Sequence, residues 1–208
     1  MLYLEDYKIE YSNGTKIEYG NIHVKKGEFV GLFGRSGCGK TSLLESLFSP
    51  TFPGKVTYKT ALLEGKPLPE PGPEFYKHVS YCPQYAQAAL NPRIIVDKML
   101  DFTLKGNGME RNEDEIDALL AKLKLERELL QRYPSQLSGG QIQRMVMFLC
   151  NIKKPDILIM DEPSSAIDLI TLKEISEFIV SLKGDVTMLM VAHRRPLLQK
   201  ISDRIIDF

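Results

Sequence analysis

Gly34-Arg35-Ser36-Gly37-Cys38-Gly39-Lys40-Thr41 is the stretch that decides the fold. It matches the pattern G-x-x-x-x-G-K-[ST], and its flanks supply the context the pattern needs. Glu28 to Phe33 is a short apolar run that reads as a strand, and Thr41 to Phe48 carries leucines at helical spacing until Pro50 and Pro53 stop it. Strand, glycine-rich loop and helix in that order cradle a polyphosphate. The glycines let the backbone curl so that successive N–H groups point inward, and the helix N-terminus adds the positive end of its dipole. Lys40 is placed to reach the outer phosphates, and Thr41 offers a hydroxyl to Mg²⁺. The nucleotide-binding candidates of this loop are Gly34, Arg35, Ser36, Gly37, Cys38, Gly39, Lys40, Thr41 and Ser42. Cys38 reads either as a small filler or as a thiol whose labelling blocks the loop.

Working outward, residues 2–11 and 16–24 alternate with period two around Ser12-Asn13-Gly14-Thr15, which predicts a β-hairpin. Lys55 to Tyr81 reads as short strands broken by the proline-rich PLPEPGP (67–73), taken as an exposed loop. Between Asn91 and Cys150 the character turns helical, with IDALLAKLKLERELLQRY (116–133) carrying leucines every three or four residues. Leu119, Leu120 and Leu123 read as ordinary core. ILIMDE (157–162) and VTMLMVAH (186–193) are continuous apolar runs flanking a helical segment, the pattern of parallel strands covered on both faces. The fold class is therefore α/β, with a helical insert and no internal repeat.

Composition narrows the function. The 208 residues are 43% apolar, enough for a sizeable core, and 27 basic side chains balance 27 acidic ones. That balance leaves no surplus charge for sequence-independent nucleic-acid binding. Three cysteines at wide spacings, Cys38, Cys82 and Cys150, point to neither a disulfide framework nor a zinc site and fit a reducing cytosol. The start, MLYLEDYKIEYSNG, lacks the pattern of an export signal. The most apolar runs, 144–150 and 186–192, fall well short of the roughly 20 residues that cross a bilayer.

The strand Ile157-Leu158-Ile159-Met160 ends in Asp161-Glu162, delivering two carboxylates at a strand's carboxyl end, where open α/β sheets place ligands. Asp161 is suited to hold Mg²⁺ through its water shell, and Glu162 to orient and deprotonate an attacking water. A plain strand-end turn is the alternative. Leu137-Ser138-Gly139-Gly140-Gln141, followed by the helical IQRMVMFLC, is the most specific signal in the chain. Ser138 and the two glycines open a helix and present N–H donors, a hydroxyl and a dipole end to an anion. This string resembles the signature of ATP-binding cassette ATPases.

The resemblance implies a P-loop NTPase (RecA-like) core with an N-terminal antiparallel β subdomain and an inserted α-helical subdomain. Residues 1–84 and 151–208 would form the core with its β subdomain, and 85–150 the helical part, all within one nucleotide-binding domain. It also implies action in trans, in which Ser138, Gly139, Gly140 and Gln141 of one subunit cap the γ-phosphate held by the other, so the enzyme works as a dimer. Gln84, in Tyr81-Cys82-Pro83-Gln84, is similar to the Q-loop glutamine that senses Mg²⁺ and the γ-phosphate. His193 is similar to the switch histidine at the γ-phosphate, although Arg194 follows it where an acidic residue is usual. Ser165-Ala166-Ile167-Asp168 resembles the D-loop, with Asp168 at the dimer seam, and Tyr11 is the candidate to stack on adenine, strand packing being the alternative. Glu162, His193, Lys40 and Gln84 are thus the catalytic candidates, and Thr41, Gln84 and Asp161 the metal candidates, with ATP and Mg²⁺ as the cofactors.

Ala89-Leu90-Asn91-Pro92-Arg93 resembles an L-N-P segment of the ATPases of peptide, nickel and metallophore uptake systems; its alternative is an Asn-Pro turn that starts a helix. The resemblance then implies a cytoplasmic ATPase, peripheral on the inner face of the membrane, partnered by a second such subunit and by transmembrane permeases, with no nucleic acid. A soluble relative acting in regulation, or on nucleic acid or ribosomes, is the competing class, and it would need a basic face. A nucleotide-binding scaffold with little hydrolysis is the third, and Glu162 argues against it.

Overall fold

The structure is a computed structural model that describes residues 1–163 and 167–208. The chain divides into two compact units, Met1–Tyr76 with Lys183–Phe208, and Lys77–Leu182.

The first unit holds two sheets. β1 (Leu2–Glu10) and β2 (Lys16–Val24) form the hairpin expected from their alternation, and β4 (Lys55–Thr57), β5 (Thr60–Leu63) and β6 (Lys66–Pro67) complete an antiparallel sheet around β1. The alternation changes phase inside β1. Leu2 and Leu4 are buried, then Tyr7 and Ile9, because a bulge lies between Leu4 and Tyr7. Asp6 takes a positive φ of 50° there, and its N–H donates to Asn21 Oδ1 at 3.1 Å. The extra residue keeps both halves of the strand facing the core.

The second sheet of this unit is parallel, with β10 (Arg204–Asp207), β3 (Phe29–Phe33) and β9 (Thr187–Val191) in that order. Phe29 to Leu32 and the whole of β9 are buried, as their unbroken apolar runs require. The loop after β3 leads into α1 (Lys40–Phe48), which buries Leu43, Leu44 and Leu47. α8 (Arg195–Ile201) precedes β10.

In the second unit, β7 (Val79–Cys82) pairs in parallel with β8 (Ile157–Asp161). Around this pair the chain forms α3 (Ala86–Ala89), α4 (Val96–Gly106), α5 (Glu113–Lys122), α6 (Gly139–Asn151) and α7 (Leu169–Ser181). Two expectations need correction. The 55–81 stretch is not strand alone, since α2 (Pro73–His78) starts at Pro73 and the chain passes between the units within it. Proline suits a first helical turn, where its missing N–H is not needed. Nor is 116–133 one helix. α5 ends at Lys122, Lys124 adopts φ 53°, and a short 3-10 turn follows over Arg127–Gln131. This break allows Leu123 and Leu125 both to be buried. Arg111 then ties α4 to α5, contacting Asp97, Asp101 and Glu113 at 2.6, 2.7 and 2.7 Å.

Candidate functional site

In the first unit the glycine-rich loop is held by its own geometry. Gly37 and Gly39 sit at φ 80° and 98°, a region that side-chain-bearing residues avoid, and no side chain caps α1, whose N-cap is Gly39. The N–H groups of that end are thus left to a ligand. Lys40 is buried, and its Nζ donates to the carbonyls of Gly34 and Arg35, each at 2.9 Å, and to Cys38 Sγ at 3.6 Å. The ammonium lies over the loop rather than in solvent. Thr41 is exposed, and Ser42 accepts a hydrogen bond from the Tyr11 hydroxyl at 2.8 Å. Tyr11 also meets Phe52 edge-on, with centroids 5.8 Å apart.

One support of the loop escaped the sequence reading. Tyr19, on β2, donates its hydroxyl to the Gly39 carbonyl at 2.8 Å and packs edge-on against Phe208. Burial holds its phenol well above the usual range, so it remains a donor. A Cβ on Gly39 would stand 2.8 Å from that hydroxyl and 2.9 Å from Ile17 Cδ1. Only distant pairing of β2 could have signalled this role. His193 lies two residues beyond β9, exposed, and Arg194 is the N-cap of α8.

In the second unit Asp161 and Glu162 are 1% and 6% exposed at the end of β8, an unusual burial for carboxylates. Gln84 Nε2 donates to Glu162 Oε2 at 3.0 Å, joining two residues 78 apart in the chain. Tyr81, whose hydroxyl reaches Asp161 Oδ2 at 3.5 Å, was not singled out in the sequence. Glu162 holds φ 47°, a left-handed backbone that costs about 1 kcal/mol for a non-glycine residue. Such strain aims a side chain.

Ser138 caps α6 in a reciprocal box. Its hydroxyl accepts from the Gln141 N–H at 3.3 Å while the Gln141 side chain accepts the Ser138 N–H at 2.9 Å. Gly139 has open space where a Cβ would go, but at Gly140 a Cβ would lie 2.5 Å from Thr171 Oγ1. Thr171 belongs to α7, whose N-cap is Asp168: its carboxylate accepts from the Ile170 and Thr171 N–H groups and from the Thr171 hydroxyl. These bonds, led by those from Thr171, hold the Asp168 carboxyl below its usual range. Ser165 and Ala166 of the D-loop expectation lie outside the described residues.

The phosphate fit is good, because an uncapped helix end, two left-handed glycines and a buried ammonium converge on one loop. Among the described residues no three His, Cys, Asp or Glu side chains gather as a metal group. Mg²⁺ asks for less, one or two hard protein oxygens with water and phosphate, and the Thr41 hydroxyl and Asp161 carboxylate are of that kind. No helix among the described residues is long and apolar enough to cross a membrane.

Comparison with known proteins agrees with this chemistry. A family model described as "ABC transporter" matches residues 18–165. The oligopeptide transport ATP-binding protein OppF of Streptococcus pyogenes is 29% identical over 97% of this chain and 70% of its own length. The spermidine/putrescine import ATP-binding protein PotA of Thermotoga maritima is 34% identical over 89% of this chain and 50% of its own. Among solved structures, a dimeric ATP-binding cassette in a post-hydrolysis state with ADP and Pi superposes with a TM-score of 0.82 at 23% identity, covering 100% of this chain and 94% of that one. The chain belongs to the ABC transporter family and is an ATPase domain of that family.

Proposed function

We propose that the chain binds MgATP through residues 34–42 and hydrolyses it as one half of a dimer that drives membrane permeases in uptake. Tyr11 stacks on the adenine. Lys40 and the loop N–H groups hold the phosphates, and Glu162 takes the proton of the attacking water. Gln84 orients Glu162 and reports on the γ-phosphate, which His193 contacts. Thr41, Asp161 and Gln84 would hold Mg²⁺, in part through water, and the ion would supply charge neutralisation on the phosphates. Ser138, Gly139, Gly140 and Gln141 of the second subunit close over the triphosphate, with Asp168 at the seam. In this reading 1–84 and 151–208 act as core and 85–150 as the helical part.

The observation that carries the reading is the Gln84–Glu162 hydrogen bond at 3.0 Å. It couples the base to the start of the segment, 84–99, on which a permease would dock. Exposed Tyr85, 66% accessible, and Phe102, 63%, offer apolar surface in this part of the chain. The L-N-P segment and the oligopeptide relatives support peptide, nickel or metal-chelate cargo, with the protein held in the cytoplasm at the inner face of the membrane. The partner subunit is a second ABC ATPase, identical or related.

ATP turnover by wild type and by Glu162→Gln tests the reading. Turnover should fall by about 10² or more, while ATP-dependent dimers accumulate in size-exclusion chromatography. Equal turnover in the two proteins would reject Glu162 as base.

A further inference from the structure

β7 and α6 meet, within the second unit, through more than packing. Ser80 and Cys82 alternate onto one side of β7, and α6 presents Gln143 and Cys150, two turns apart on one stripe, to that strand. Ser80 Oγ donates to the Cys150 carbonyl at 2.6 Å, Gln143 Nε2 donates to Cys82 Sγ at 3.7 Å, and Cys150 Sγ donates to the Tyr81 carbonyl at 3.4 Å. Cys150 Sγ thus lies against the peptide unit that joins Tyr81 to Cys82, and both thiols are free. Cys82 is fully buried and Cys150 half-buried, so only one of the two can meet a reagent first. The third thiol, Cys38, belongs to the other unit.

We infer that Cys82 and Cys150 are a redox pair whose oxidation to a disulfide locks the strand leading into Gln84 to the helix opened by Ser138. The oxidant class is a peroxide. The Cys150 thiolate attacks one peroxide oxygen, an S–O bond forms, the O–O bond breaks, and the departing hydroxide is protonated to water. The Cys82 thiol then loses its proton and its sulfur attacks the Cys150 sulfur, so that the S–S bond forms and the S–O bond breaks, releasing a second water. One hydrogen peroxide is reduced to two waters as two thiols give up two electrons. The order follows from access, since half-buried Cys150 meets the peroxide first and fully buried Cys82 is left as the resolving partner.

The functional consequence rests on the roles proposed for Gln84 and Ser138. A cross-link between their supporting elements restrains opening and closing in the second unit, and such steps often set turnover. The phosphate loop, in the other unit, keeps its affinity.

The experiment treats the full, reduced chain with hydrogen peroxide, alkylates remaining thiols, and maps peptides. A peptide pair joining Cys82 to Cys150, lighter by two hydrogens, is expected, with a rise of several degrees in unfolding temperature. Turnover should fall about threefold or more with unchanged nucleotide binding, and recover with dithiothreitol. Cys150→Ala, and separately Cys82→Ala, should abolish the cross-link and the reversible loss. Absence of the joined peptides, a cross-link that leaves turnover unchanged, or equal reversible loss in Cys150→Ala would each overturn the switch. If the reduced wild type does not hydrolyse ATP, the proposed function fails instead, and the peptide map and unfolding temperature still decide whether the pair forms.

Discussion

The N-termini of α1 and α6 are built from the same materials, glycines and a small hydroxyl residue, yet they are finished differently. At α1 the N-cap is a left-handed glycine with no side-chain cap, and the nearby cation bends back onto loop carbonyls. At α6 a serine and a glutamine satisfy each other in a capping box, and Gly140 is pressed against Thr171. The first end therefore depends on a ligand for its donors, whereas at the second the Ser138 and Gln141 N–H groups are already satisfied within the chain. A site that binds in its own chain can leave its N–H groups open; a surface that closes over another subunit's ligand must hold its shape beforehand. Substitutions at the two ends should accordingly fail in different ways.

The sharpest difference is expected from Lys40→Ala. ATP at a hundredfold excess over its dissociation constant should stabilise wild type by about 2.7 kcal/mol in thermal unfolding, and this protection should vanish in the variant. Gly140→Ala should instead lower intrinsic stability by about 1–3 kcal/mol, because the added methyl meets Thr171 Oγ1. Nucleotide protection should survive. Thr171→Ala in the same chain should recover part of that loss, and strict additivity in the double-mutant cycle would place the strain elsewhere. Smallest is Ser138→Ala, which removes one cap at a cost of about 1 kcal/mol, with ATP binding by the isolated chain unchanged. A lost thermal shift in Ser138→Ala would erase the contrast between the two ends.

Much of this was legible along the chain because it is local. The strand–loop–helix around 29–48, the Ser138 cap and the apolar runs of β8 and β9 are spelled by neighbouring residues, and the structure has them there. What could not be read depends on partners far away in sequence or on a single backbone angle. The Gln84–Glu162 and Tyr19–Gly39 bonds span 78 and 20 residues. The bulge at Asp6 and the break at Lys124 each turn on one left-handed residue that carries no glycine signal. α2 hid behind prolines that looked like loop, although Pro73 is a proper first helical residue.

The central claim is that one triphosphate is enclosed by the glycine-bearing loop of one subunit and the Ser138-led helix of another. Mixing Lys40→Ala chains with Gly139→Asp chains tests it most directly. The second change has open space for its side chain and suits a helix N-terminus, yet sets a carboxylate against phosphate. Each variant alone should be inactive. In an equal mixture half the dimers pair one of each, with one intact composite site in two, so ATP turnover should return to about a quarter of wild type. A mixture as inactive as its components would contradict closure in trans.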